Sequence, residues 1–510
     1  METFDSLMLG FSVALRPDVL FYAFIGCLVG TLVGVLPGVG PLAGISILLP
    51  ATFGLDATKA IVMLAGIYYG SQYGGSTTSI LMRIPGEASS VMTCIDGFAM
   101  AQKGRAGAAL AIAAVGSFVA GTLSVLALTL VAPPLAAFAL KFGPPEYTAL
   151  LLLGLIFLAY MSSTSLPRTL LMASIGLLLG CIGIDTMSGQ FRYAFDIKEL
   201  ADGIGIVPVA VGLFGLGEIL STPARATDAK IISPRLADLM PTRQEWREAT
   251  PPILRGSVLG FLVGIVPGSA HIISSFISYA LEKRLSKHPE QFGHGAVAGV
   301  AGPESANNAA STGAFVPMLA LGLPTGPVTA VLMAALLIHG VPPGPTLVTD
   351  HPDVFWGFIA SMYVGNIMLL VLNLPLVGLF VTVLRIPYAY LYPLIIMFCV
   401  LGVYEVGHSI VDVWIMLIMG MLGYLLRKCD LDPAPLVLGL VIAPTLELSF
   451  RQALTMSSGD FTIFVRRPIS ATLLVIAALL LAHSVSTLLT ARRDWRRKLA
   501  DAEAGDQPAP

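Results

Sequence analysis

Long apolar tracts without charge dominate this chain and limit the folds that it can adopt. Charged side chains collect in three stretches, at 223–250, 282–290 and 492–502. Several of the tracts between them reach the roughly 18–20 residues that a helix needs to cross a hydrocarbon core about 30 Å thick. Charged residues make up only 12% of the chain, whereas soluble domains carry about 25%. The sequence therefore predicts a polytopic membrane protein rather than one large soluble core.

Glycine and proline interrupt many of the apolar tracts. The chain contains 52 Gly and 35 Pro, largely inside these tracts. Some tracts are too short or too interrupted to cross a membrane alone. We therefore predict an all-α membrane protein with about 10–14 transmembrane helices, some of them broken or re-entrant.

An internal repeat divides the chain almost in half. Residues 30–38 read GTLVGVLPG and residues 260–268 read GFLVGIVPG, with six of nine positions identical. Secondary transporters are often built from inverted repeats, with the substrate held where the repeats meet. We predict two inverted repeats in which Pro37 pairs with Pro267.

A second pair of matching segments follows in the same order. Ser76-Thr77 precede Ile84-Pro85, and Ser311-Thr312 precede Leu323-Pro324. Two matches in the same order favour a duplication over chance. We expect Ser76 to occupy the position of Ser311 in the other repeat.

The repeat and the charged stretches define the expected organisation of the chain. The basic run Arg492–Lys498 directly follows the last apolar tract, and the positive-inside rule predicts that it is cytoplasmic. The predicted parts are an N-terminal amphipathic segment (1–18), membrane repeat 1 (19–222), a polar linker (223–250), membrane repeat 2 (251–465), a terminal transmembrane helix (466–491) and a basic cytoplasmic tail (492–510).

Polar residues cluster after the Pro-Gly element of each repeat, at 68–79 and 301–313. Small hydroxyl and amide side chains ahead of apolar residues are typical of a capped helix start. A helix start presents free N–H groups and a partial positive charge, which suit a carboxylate. The alternatives are sodium binding by the polar oxygens and simple close packing of small residues. We predict substrate binding by Gly38, Gly40, Tyr73, Ser76, Thr77, Thr78, Asn307, Asn308, Ser311 and Thr312.

Glu304 is an acidic residue inside an apolar region, and such a residue is a functional candidate by default. It can take part in proton or sodium coupling, or it can cap the following helix. We assign ion coupling to Glu304, Ser305 and Thr325, with Na+ or H+ as the ion.

Missing motifs exclude several classes of function. No GxxxxGK[ST] occurs, so the chain carries no P-loop of its own. HExxH, GxSxG and Cys/His clusters are also missing, so we expect no enzyme, no catalytic residue, no metal site and no organic cofactor. No long basic stripe precedes the C-terminus, so we expect no nucleic-acid partner. A permease of another secondary or ABC-type importer, for a different organic anion, remains the alternative, and the sequence does not separate a carrier from a channel.

Several segments resemble the large permease subunit of tripartite tricarboxylate transporters, the TctA-like family. The resemblance covers nearly the whole chain. Its motifs are GTLVGVLPGVGPLAG (30–44), YYGSQYGGSTTSILMRIPGEASSV (68–91), DGFAMAQKGRAG (96–107), GVAGPESANNAASTGAFVPMLALGLPTGP (299–327), IHGVPPGP (338–345) and RRPISATLLVIAALLL (466–481).

The resemblance implies a multi-pass permease of the bacterial inner membrane. It implies two protein partners, a small four-helix membrane subunit and a periplasmic solute-binding protein. The substrates of this family are carboxylates such as citrate and other organic acids, and an ion gradient supplies the energy. These properties are expectations from the resemblance alone.

Overall fold

The structure is a computed structural model, and it describes residues 2–36, 40–161, 164–185, 187–221, 240–268, 270–383 and 388–505. Within those residues helices dominate, and the strands are limited to one short antiparallel pair, β1 (Gly183–Ile184) and β2 (Phe191–Arg192). The predicted all-α class is confirmed.

The first half of the chain contains ten α-helices in its described residues. They are α1 (Glu2–Ala14), α2 (Pro17–Val35), α3 (Gly40–Leu48), α4 (Ala57–Met82), α5 (Val91–Met100), α6 (Ala106–Ala139), α7 (Pro144–Met161), α8 (Leu166–Leu179), α9 (Ile206–Ala210) and α10 (Gly217–Ser221).

The second half continues the same pattern. Its described α-helices are α11 (Arg243–Gly264), α12 (Ala270–Leu285), α13 (Ala298–Gly313), α14 (Phe315–Leu321), α15 (Pro327–Ile338), α16 (Leu347–Asp350), α17 (Pro352–Asn373), α18 (Val377–Val383), α19 (Tyr388–Gly407), α20 (Ile410–Lys428), α21 (Ala434–Met456), α22 (Ile463–Arg466) and α23 (Pro468–Gly505).

Six helical segments of the described chain are long and apolar enough to cross a membrane. Further apolar helices of 10–17 residues, such as α8 and α15, are shorter. The protein is therefore a multi-pass membrane protein, and the expected number of about 10–14 crossings stays a prediction. The long segments are Pro17–Val35, Ala88–Ala139, Pro352–Asn373, Ile410–Lys428, Ala434–Met456 and Pro468–Ser486.

Three glycines on α2 bring its backbone into contact with α4. Small residues permit this approach, which is a common way for membrane helices to pack. A Cβ atom added to Gly26, Gly30 or Gly34 would lie 2.2, 2.6 or 2.1 Å from the carbonyl oxygens of Met63, Ile67 and Ser71, respectively.

The same seam occurs between α11 and α13 in the second half. Its glycines also recur every four residues, and they are the positions that match Gly26, Gly30 and Gly34 in the sequence repeat. A Cβ atom added to Gly256, Gly260 or Gly264 would lie 2.5, 2.2 or 2.4 Å from the carbonyl oxygens of Gly302, Ala306 and Ala310. The contacts of the two halves thus match helix for helix.

The matching seams correct the expected pairing of Ser76 with Ser311. Gly34 contacts Ser71, and its counterpart Gly264 contacts Ala310. The residue that corresponds to Ser311 is therefore Gln72, one helical turn before Ser76. The other predicted pair includes Pro37, which lies outside the described residues.

The helix breaks lie after the polar clusters and not at them, which overturns the predicted helix starts. Ser76, Thr77 and Thr78 lie inside α4, and α4 ends at Met82, where Arg83 adopts a left-handed conformation with φ 59°. Asn307–Thr312 lie inside α13. Close packing outweighs the poor helix propensity of Gly and Ser here.

The ends of the chain and the linker differ in part from their expected limits. The helix of the N-terminal segment packs on α17, because a Cβ atom on Gly10 would lie 2.3 Å from the carbonyl oxygen of Trp356. Residues 222–239 of the linker region lie outside the described residues, and α11 already begins at Arg243. At the other end α23 extends to Gly505, beyond the predicted limit at 491, and residues 506–510 lie outside the described part.

Candidate functional site

Glu304 lies at a polar centre where the two halves of the chain meet. It is on α13 and is 0% exposed. Ser76 on α4 donates a hydrogen bond of 2.6 Å to its Oε2 atom, and Thr93 on α5 donates to its Oε1 atom. The carboxylate is therefore held by hydroxyl groups from the first half.

Glu87 is the second buried carboxylate of this centre, with 7% of its surface exposed. It directly precedes a short 3-10 helix at Ala88–Ser90 that follows the break after α4. Its Oε1 atom accepts a hydrogen bond of 3.1 Å from Asn307 Nδ2 and another from the Ser89 hydroxyl. Among the described residues, its Oε2 atom has no hydrogen-bond partner.

Neither carboxylate forms an ion pair within the described chain. Arginines elsewhere in the described chain pair with other acids. Glu87 and Glu304 are also close enough to repel each other electrostatically. A buried charge without a partner costs several kcal/mol, on the order of 3–5 when one member of a pair is removed. The two acids therefore require a cation or protons. The pairs formed elsewhere are Arg105 with Glu245, Arg255 with Glu282 and Arg467 with Glu146.

A small cavity of about 10 Å³ borders the polar centre. Predicted residues Tyr73, Ser76 and Thr77 line it, together with Ser117 on α6 and Asn373 on α17. Asn308 donates a hydrogen bond of 2.7 Å to Ser117, which places the amide beside this cavity. We call it the polar cavity.

A second cavity, also about 10 Å³, lies where α12 and α15 begin. Gly268 and Thr325 both line it, and Gly268 donates a backbone hydrogen bond of 2.6 Å to the Thr325 carbonyl. Real helix starts therefore occur at Ala270 and Pro327 rather than in the polar clusters. The lining also includes Tyr68 and His271.

Several predicted substrate residues donate hydrogen bonds to backbone carbonyls. Thr78 donates a hydrogen bond of 2.6 Å to the Val35 carbonyl at the end of α2. Ser311 and Thr312 bond to carbonyls one turn earlier on α13, at 3.1 and 3.3 Å. Gly40 is the first residue of α3, with φ +62°. Gly38 lies outside the described residues.

The three residues assigned to ion coupling do not form one group. Glu304 is at the polar centre, whereas Thr325 lines the second cavity. Ser305 faces α6 and α11, because a Cβ atom on Gly116 would lie 3.0 Å from its hydroxyl oxygen.

Sequence reasoning missed Glu87, Thr93, Ser117 and Asn373. Glu87 carried a visible signal, since it is an acid in the Pro-Gly break of an otherwise apolar region. The other three residues are small polar residues inside apolar helices, and no local pattern marks them.

No group of three or more His, Cys, Asp or Glu able to hold a metal ion occurs among the described residues. The polar centre offers only oxygen atoms as possible cation ligands: carboxylates, hydroxyl groups and amide oxygens. Such ligands suit hard cations.

Comparison with known proteins gives two relatives from Agrobacterium vitis. An uncharacterized 52.8 kDa protein in the TAR-I ttuC' 3' region is 47% identical over 499 residues, which cover 98% of this chain and 99% of that protein. An uncharacterized protein in the TAR-II ttuC' 3' region is 46% identical over 235 residues, 46% of this chain and 97% of that protein. No solved structure matches the chain.

The family comparison covers both glycine seams and the whole polar centre. Residues 20–438 match the model of the family described as Tripartite tricarboxylate transporter TctA family. The structure agrees with a transport function, since the protein has multiple apolar helices around a buried polar centre. The chain therefore belongs to the tripartite tricarboxylate transporter TctA family of membrane transport permeases.

Proposed function

We propose that this protein is the large permease subunit of an ion-gradient-driven importer of small di- and tricarboxylates, such as citrate, in the bacterial inner membrane. The observation that carries the proposal is the polar centre, where Ser76 of one half meets Glu304 of the other at 2.6 Å. Secondary transporters bind their substrates at such a boundary between repeats.

The substrate carboxylates bind in and around the polar cavity. Tyr73, Ser76 and Thr77 line it, and Asn308 reaches it through Ser117. No Lys or Arg occurs between Gly70 and Met82 or between Ala298 and Met318. Hydroxyl groups, amides and a bound cation must therefore compensate the charge of the substrate.

Two helices begin beside the second cavity, whereas the sequence pattern had placed the helix starts in the polar clusters. Helices α12 and α15 both begin beside this cavity, and a helix start suits a further carboxylate group. This arrangement supports a substrate with more than one acid group.

Import requires the protein to open. Each cavity measures about 10 Å³, and a cavity of about 10–15 Å³ holds a single water molecule. The described conformation is thus closed around the site. Movement of one repeat against the other, alternately exposing the site to each side, is the mechanism of carriers with this organisation.

Two partners complete the proposed importer. A periplasmic solute-binding protein delivers the substrate, and a small four-helix membrane subunit assembles with the permease. The support for both is the tripartite family to which the chain belongs.

Uptake by proteoliposomes tests the proposal. Liposomes containing the permease and its small subunit, supplied with the binding protein and labelled citrate or another dicarboxylate or tricarboxylate, should accumulate substrate only with a sodium or proton gradient. Uptake should persist without ATP. ATP-dependent uptake that needs no gradient would contradict the proposal and favour an ABC-type importer.

A further inference from the structure

We infer that Glu87 and Asn307 form a sodium-binding site at the polar centre, with Glu304 as the second negative charge that holds the ion. The inference rests on the proposed function and identifies the site of its ion coupling. It assigns the central role to Glu87, which lies in the break after α4.

Two buried acceptor atoms of this centre lack a donor. Glu87 Oε2 and Asn307 Oδ1 have no hydrogen-bond partner among the described residues, although both side chains are more than nine-tenths buried. The two side chains are joined by a hydrogen bond of 3.1 Å from Asn307 Nδ2 to Glu87 Oε1. One cation bound between Glu87 Oε2 and Asn307 Oδ1 contacts both oxygen atoms, so neither atom needs a hydrogen-bond donor.

Charge also favours a cation at this place. Glu87 and Glu304 repel each other, and neither has a basic partner in the described chain. A bound Na+ neutralises one of the two charges. The hydrogen bonds that Ser76 and Thr93 donate to Glu304 are the kind that a negative carboxylate accepts.

The ligands favour a hard monovalent ion over a transition metal. They are carboxylate and amide oxygens without His or Cys. No group of three acidic, His or Cys residues stands together in the described part of the chain. Two carboxylates and one amide supply fewer oxygens than the about 6–8 that Ca²⁺ takes.

The site also links ion binding to substrate binding. The Ser89 hydroxyl lies within hydrogen-bond distance of Glu87 Oε1 and, at 3.1 Å, of Gln72 Oε1, so its one hydrogen is shared between the two acceptors. The other amide atom of Gln72, Nε2, is buried without an acceptor in the described chain. A carboxylate of the substrate beside the ion accepts from this N–H group.

Direct sodium binding to the purified permease tests the inference. Binding of ²²Na+ and the rise of Tm with NaCl, compared with choline chloride, should both be saturable in the wild-type protein. Glu87→Gln and Asn307→Ala should each weaken sodium binding about tenfold or more, because each removes a contact to a charged ligand. Glu405→Gln, at an exposed acid of α19, should bind sodium like the wild type.

A conservative variant keeps the test decisive if Glu87→Gln does not fold. Glu87→Asp retains the charge but withdraws it by one methylene group, and it should weaken sodium binding without abolishing it. Wild-type affinity in both Glu87→Asp and Asn307→Ala would overturn the site. A wild-type protein that binds no sodium, with uptake that follows pH alone, would overturn the sodium assignment.

The binding assay contains no substrate, so its result is independent of the proposed function. Saturable sodium binding that depends on Glu87 would stand even if the liposomes took up no carboxylate. Gradient-driven carboxylate uptake with sodium binding unaffected by Glu87 would leave the proposed function in place and remove the site.

Discussion

Ser76 and Glu304 are 228 positions apart in the chain, and a hydrogen bond of 2.6 Å joins them. The bond connects α4 of the first half with α13 of the second half. Through the glycine seams α4 packs against α2 and α13 packs against α11, so the bond joins two closely packed helix pairs. A rotation of one pair against the other must break or rebuild this contact.

Replacement of Ser76 by Ala should weaken ion-coupled uptake. Glu304 would keep the hydroxyl of Thr93 but lose one of its two donors. A hydrogen bond to a charged group contributes about 1.5–3 kcal/mol, so the sodium concentration for half-maximal uptake should rise about tenfold or more. Ser71→Ala is the matched control, because among the described residues the Ser71 hydroxyl bonds only to the Tyr68 carbonyl one turn earlier. Equal sodium dependence in the two variants would contradict a role for the Ser76 bond.

The glycine seams should not tolerate even one methyl group. In Gly260→Ala, the new Cβ atom would lie 2.2 Å from the Ala306 carbonyl oxygen, so the two backbones must separate. Overpacking of this kind costs typically about 1–3 kcal/mol. We expect a lower Tm and lower yield of the detergent-purified protein. Gly378→Ala, on α18 with open space around it, should match the wild type. Similar melting of both variants would show that the seam is looser than described.

The glycine seams were not predicted, although the sequence carries a signal for them. The glycine seams follow from a local pattern, a glycine every four residues in both α2 and α11. The polar clusters were wrongly placed at helix starts, because small hydroxyl and amide side chains ahead of apolar residues are typical of a capped helix start. In the structure a Cβ atom on Gly74 would lie 2.3 Å from the Thr31 carbonyl oxygen, and this close packing keeps α4 continuous.

The contacts of the candidate site could not be predicted, because they join residues that are far apart in the sequence. Glu87 and Asn307 are separated by 220 positions, and nothing in either segment specifies the other. The pairing depends on how α4 and α13 are aligned against α2 and α11. That alignment differs by one turn from the one that the Ser-Thr matches suggested, since Gln72 and not Ser76 corresponds to Ser311.

The inverted arrangement of the repeats remains a prediction with a direct test. If the repeats are inverted, the connection between α3 and α4 and the connection between α12 and α13 lie on opposite sides of the membrane. Single cysteines at Gly54 and Lys287, both exposed, mark these connections. A background without the exposed Cys429 avoids labelling elsewhere. A membrane-impermeant maleimide should label one site from outside intact cells and the other only after lysis. Labelling of both sites from one side would rule out inversion.

Asp96 should be essential for stability. Its Oδ1 atom accepts backbone hydrogen bonds from Gly293, Gly295 and Ala296 at 2.9, 2.7 and 2.8 Å. Its Oδ2 atom accepts a hydrogen bond of 2.8 Å from the Tyr279 hydroxyl. Asp96→Ala leaves these donors unpaired, and each buried unpaired group costs about 1–3 kcal/mol. The free energy of unfolding should fall by about 3 kcal/mol or more.

Chemical unfolding of Asp96→Ala in detergent measures this loss. Asp353→Ala is the control, because Asp353 is exposed in the first turn of α17. It should cost no more than the roughly 0.3–1 kcal/mol of a helix-dipole interaction. An equal decrease in the free energy of unfolding in both variants would mean that the backbone N–H groups donate to water when Asp96 is absent.

The polar cavity should set the affinity for the carboxylate. Thr77 and Ser117 line it from α4 and α6, and both are almost fully buried. Thr77→Val keeps the shape of the side chain and removes the hydroxyl, and Ser117→Ala also removes the acceptor of the 2.7 Å bond from Asn308. Each change removes a hydroxyl group that can donate a hydrogen bond to the charged substrate. The loss should weaken carboxylate binding about tenfold or more at saturating sodium.

Ser124→Ala is the control, since Ser124 is equally buried on α6 but does not line the cavity. Substrate affinities from equilibrium binding should therefore be lower in Thr77→Val and Ser117→Ala and unchanged in Ser124→Ala. Unchanged affinity in the first two variants, with sodium binding intact in all three, would move the carboxylate site to the helix starts at Ala270 and Pro327.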